Sequence, residues 1–134
     1  MAYGYESVTI NSGAASGSNG SATNNGTSTH VITGEICSIG VTYGDSPPAS
    51  TDVTIATTGD NGPALTLLTL TNANSDGWFH IRHKVDDESG ADVTYDGPNE
   101  VYEKVCISDY VKVTIAQANA NDTAEVLIVY ASGR

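Results

Sequence analysis

After residue 30 the chain alternates apolar and polar side chains with a period of two, as strands do when they bury one face. Residues 31–43 set the pattern. Val31, Cys37, Ile39, Val41 and Tyr43 hold odd positions together with Thr33 and Glu35, while Gly34, Ser38, Gly40 and Thr42 suit an outer face. The run is long for one strand, which predicts a bulge or bend at Gly34 or Gly40. It stops at Gly44-Asp45-Ser46-Pro47-Pro48, because proline has no N–H to give a ladder. Val53 and Ile55 mark a short strand over residues 52–57, ended by the turn-forming stretch 58–63. In residues 64–71, Leu65, Leu67, Leu68 and Leu70 cover both faces, as in a central strand or one carrying a bulge.

Residues 72–77 turn again. From there Phe79, Ile81, His83 and Val85 alternate with Trp78, His80, Arg82 and Lys84, which sets His83 on the core side as a neutral, hydrogen-bonded ring. Residues 86–100 are acidic and rich in turn formers, and strands follow at 101–107, 110–117 and 123–130. Val101, Val105 and Asp109 also fit one helical face, but the Val, Cys and Ile at the centre of that stretch favour a strand. About eight strands with turns every 8–12 residues predict an all-β, single-domain, jelly-roll-like β-sandwich with no helix longer than about two turns.

The first thirty residues differ in texture. Residues 11–29 are almost wholly Gly, Ser, Asn, Thr and Ala, which predicts a flexible tether with little to bury. The chain therefore divides into an arm at 1–10, a tether at 11–29 and a sandwich at 30–134. Within the arm, Tyr5, Ser7 and Thr9 alternate with Glu6, Val8 and Ile10. Two readings stand open: the arm is the first strand of the domain's own sheet, or it adds a strand to another chain's sheet.

Composition narrows the partners. Sixteen acidic and five basic residues give a formal charge of −11 over 134 residues. The bases Arg82, Lys84, Lys104, Lys112 and Arg134 are mostly scattered, which argues against nucleic acid and against anionic membranes. No apolar run reaches the length of a membrane helix, and residues 1–6 lack the basic-then-apolar start of a secretory signal, which points to cytoplasmic synthesis. Cys37 and Cys106 are then expected as two buried thiols rather than a disulfide. Their spacing does not suggest zinc.

Candidate chemistry is thin. His80 and His83 point to opposite faces of a strand and cannot share one ion. The run Asp86-Asp87-Glu88-Ser89-Gly90-Ala91-Asp92, followed by Asp96, lacks the ligand spacing of an EF-hand and reads as a solvated hairpin. There is no nucleophile elbow and no phosphate-binding glycine loop. The expectation is a non-enzymatic protein with no catalytic residues, cofactor or metal. Trp78 follows a polar turn, either capping the core or standing exposed at an interface.

The phrases ITGEICSIGVTYGDSPPASTDVTI, TLTNANSDGWFHIRHKV and DYVKVTIAQANANDTAEVLIVY, with the tyrosine-bearing leader, resemble the head decoration or cement proteins of tailed bacteriophages. The likeness spans most of residues 30–130. It implies a β-rich virion protein on the outer surface of a capsid, trimeric, stabilising the head by clamping neighbouring major capsid subunits. By that resemblance the leader is the capsid-binding element, and the candidate partner contacts are Tyr3, Tyr5, Val8, Ile10 and Trp78. The alternative is a glycan- or surface-binding module of a fibre or adhesin, marked by Trp78, Tyr95 and the acidic run.

Overall fold

The computed structural model describes residues 4–132. Five longer strands come first: β1 (Gly4–Asn11), β2 (Ala22–Thr27), β3 (Ile32–Gly44), β4 (Asp52–Thr57) and β5 (Thr66–Leu70). Short segments follow as β6 (Gly77–Phe79), β7 (His83–Lys84), β8 (Thr94–Asp96), β9 (Asn99–Glu100) and β10 (Tyr102–Glu103). The chain closes with β11 (Cys106–Asp109), β12 (Val111–Ala118) and β13 (Thr123–Ser132), and the described residues contain no helix. The fold is all-β, with thirteen strands among the described residues rather than about eight: the stretches 78–85 and 101–107 each break into two short pieces, β2 forms inside 11–29, and β8 and β9 form inside the acidic stretch 86–100.

Two antiparallel sheets carry the domain. One runs β1-β13-β3-β11 with β6 also paired to β3; the other runs β2-β12-β4-β5. Period-two burial on facing strands makes the core. Val126, Ile128 and Tyr130 of β13 join Ile36, Ile39 and Val41 of β3, and they meet Val53 and Ile55 of β4 and Val111, Val113 and Ile115 of β12. Each such side chain contributes about 1.5–3 kcal/mol on burial.

The long third strand does contain a bulge, but not at a glycine. Val129 pairs with Ser38 and Tyr130 with Ile36, so Cys37 is the extra residue. The inward phase therefore switches: Ile32 and Ile36 are buried before the bulge, Ile39 and Val41 after it. A single odd-position register could not describe both halves.

Residues 4–29 are part of the sandwich, which corrects the arm-and-tether division. β1 pairs with β13 at every position from Gly4–Ser132 to Asn11–Glu125. β2 lies inside the supposed tether and pairs with β12. Ala15 and Ala22 are buried there, as are Ser12 and Ser28. Short polar side chains supply the rest of the hold. Ser12 Oγ accepts the Ala124 N–H at 3.0 Å, Ser28 Oγ accepts that of Val111 at 3.1 Å, and Thr23 Oγ1 donates to the Ile115 carbonyl at 2.7 Å. A Cβ on Gly26 would overlap the Asn11 carbonyl oxygen, so glycine lets the edges of the two sheets close together. Low apolar content was a poor guide because this segment is held by backbone pairing.

Asp109 anchors the turn after β4. Its carboxylate is almost fully buried and accepts N–H groups from Gly59 at 2.7 Å, Asn61 at 3.0 Å and Tyr110 at 2.8 Å, with Thr58 Oγ1 at 3.1 Å. Burial alone would raise its pKa; the donated hydrogen bonds outweigh that and hold it below the usual carboxylate value.

Candidate binding face

The outer face of the β1-β13-β3 sheet is ordered in rows by the pairing. Tyr5 lies beside Ala131, Ser7 beside Val129, and Thr9 beside Leu127. The rows continue into β3 through Glu35, Ser38 and Gly40, and from Gly40 to Trp78. Leu127, Val129 and Ala131 are half-buried along the middle. Exposed aromatics stand toward the two ends, Tyr5 at 76% and Trp78 at 58%.

Trp78 does not cap the core. Its indole covers Gly40, where a Cβ would sit 2.9 Å from the ring atoms Cη2 and Cζ3. The absent side chain gives the ring a seat flush against the sheet, and any larger residue at position 40 would lift it off. Beside the indole is an open groove of about 320 Å³ with Leu127 and Gly40 in its lining, together with Thr9, Thr42, Asp76 and Glu125. The Tyr43 N–H donates to Asp76 Oδ1 at 2.9 Å, which fixes that carboxylate. Tyr95 does not line this groove. A second open groove, of about 570 Å³, lies along the Tyr5 row with Glu35 and Cys106 in its lining.

The other candidate contacts fall elsewhere. Tyr3 lies outside the described residues. Ile10 is only 3% exposed and belongs to the core, and Val8 packs against it from the same side of β1. Period two and the pairing to β13 turn both inward, so neither is presented to a partner. In this fold β1 (Gly4–Asn11) already pairs with β13 in the domain's own sheet, so residues 4–10 do not stand free to add to another chain's sheet.

The histidines also differ from expectation. His83 is exposed rather than in the core, 3.1 Å from Glu103, because β7 belongs to a small ribbon with β10 outside the sandwich. His80 Nδ1 lies 3.0 Å from Ser38 Oγ on the outer face. The acidic run folds as a hairpin loop. Asp87 accepts the N–H groups of Ser89 at 2.8 Å and Ala91 at 3.0 Å, and these bonds, Ala91 first, lower its pKa. Among the described residues no group of three or more His, Cys, Asp or Glu is placed to hold a metal ion. Cys37 is half-buried and Cys106 exposed, both as free thiols, so Cys106 is not the buried thiol expected. Partial burial, then Glu35 and Glu103, push the Cys106 thiol pKa up.

Sequence reading singled out Trp78 but not its neighbours. Glu125, Thr42 and Thr9 sit at outward positions that only the strand register brings together. The one local signal is a glycine at an outer-face position of a strand, a seat that a cross-strand aromatic can fill.

No family model, curated protein or solved structure matches the chain.

Proposed function

We propose that this chain is a non-enzymatic virion protein that binds the outside of a phage capsid and stabilises it by bridging neighbouring major capsid subunits. The resemblance of residues 30–130 to head decoration proteins supports the virion setting. The observation that carries the contact is the outer face of the first sheet, a half-apolar platform with Tyr5 and Trp78 exposed toward its ends. Large aromatics with few rotatable bonds are efficient anchors at interfaces. The mechanism is mechanical: contact area formed across a seam must be lost before the seam opens. A homotrimer at a three-fold position would multiply the effect, since linking binding units raises avidity by about 10²–10⁴.

The test is co-sedimentation with DNA-free heads. Replacing Tyr5 and Trp78 together by alanine should weaken binding at least about tenfold, as loss of large aromatic anchors does, with an unchanged circular dichroism spectrum. Tyr95→Ala, on an exposed ribbon, should bind as the parent does. Full binding by the double variant would move the contact off this face.

A further inference from the structure

We propose that the groove beside Trp78 receives an arginine side chain presented by the partner, an inference that rests on the docking-face reading above. Three features of the groove converge on that ligand chemistry. The indole is seated over Gly40 yet more than half exposed at 58%, so one π surface is held rigidly and offered outward. Its lining includes two carboxylates, Asp76 and Glu125, and no lysine or arginine. Neither carboxylate takes part in an ion pair among the described residues.

An aromatic face flanked by uncompensated negative charge attracts a cation. Of the two basic side chains, arginine fits better. Its planar guanidinium can stack on the indole while its N–H fork reaches a carboxylate, whereas lysine offers only a compact, strongly hydrated charge. A neutral sugar is less well matched. Its hydroxyls could donate to the carboxylates, but a neutral ligand would leave the charges of Asp76 and Glu125 uncompensated, which a guanidinium does not. The overall charge of −11 adds long-range attraction for a basic segment.

The chain holds a single tryptophan, so its fluorescence reports this site alone. The experiment titrates the intact protein with a blocked Gly-Arg-Gly peptide, a matched Gly-Gln-Gly peptide and a methyl hexoside, at low salt. The arginine peptide should change the emission saturably, and the other two should not. Glu125→Gln, a substitution on an exposed outward position, should weaken the arginine response about fivefold, as expected for loss of one charge-assisted contact. Added salt should weaken it as well. An equal response to both peptides, indifference to Glu125→Gln, or saturation by the hexoside without an arginine response would each overturn the proposal.

Head co-sedimentation separates this inference from the one beneath it. If arginine binds the groove but the protein does not sediment with heads, the capsid reading falls and the groove assignment stands. If heads bind normally, with no competition from the arginine peptide and no effect of Glu125→Gln, the capsid reading stands and the groove assignment falls.

Discussion

Asp109 shows how one side chain can order a turn that sequence reads only as a break. Three backbone N–H groups and a threonine hydroxyl converge on its carboxylate. Asparagine there would turn an NH₂ toward donors that now meet an oxygen, so Asp109→Asn should lower the melting temperature at neutral pH. Because the folded pKa lies below the ordinary 3.8, the stabilisation is present above that value and fades as pH falls through the folded pKa. The gap in melting temperature between parent and variant should therefore narrow below about pH 4. A gap constant down to pH 2 would rule out an ionised Asp109 as its source. In the core, Ile128→Ala should cost about 2–5 kcal/mol by leaving a cavity between the sheets, measured by denaturant unfolding.

At the scale of elements, legibility followed periodicity. β4 matches the expected 52–57 stretch, and β12 and β13 start within a residue of expectation, because Val, Ile and Leu alternate cleanly with polar residues. β2 was not legible: its six residues, ATNNGT, hold one apolar side chain, and its place comes from pairing with β12. Trp78 was legible as a residue of interest, but its groove was not, since Glu125 and Gly40 approach it only through strand register. The corrected role of β1 makes a prediction. Deleting residues 1–11 removes Ile10 and Val8 from the core and bares one side of β13. The truncated chain should lose at least about 2 kcal/mol of stability, the lower range for emptying one large core position. Removing about eight residues from 11–29 should likewise lower the melting temperature. Unchanged melting in either case would return these residues to the role of arm and tether.

For the whole molecule, the two sheets bury one face each against the other and leave the outer faces open to partners. In the proposed setting a density map of decorated heads should place three copies around each occupied three-fold position, with the Tyr5–Trp78 face against the shell. Isolated copies away from symmetry axes would contradict the trimer. The strand pairing also fixes a mechanical property. Gly4 lies opposite Ser132, so the two ends of the described chain leave the same corner of the sheet side by side. A pull applied between those ends would open the β1–β13 ladder one rung at a time, like a zipper. A pull along the strands in opposite directions would load all its rungs together, in shear. A domain of this design is weak when pulled apart by its two ends and strong when stretched along its strands, so force applied between the ends should peel β1 from β13 at low load.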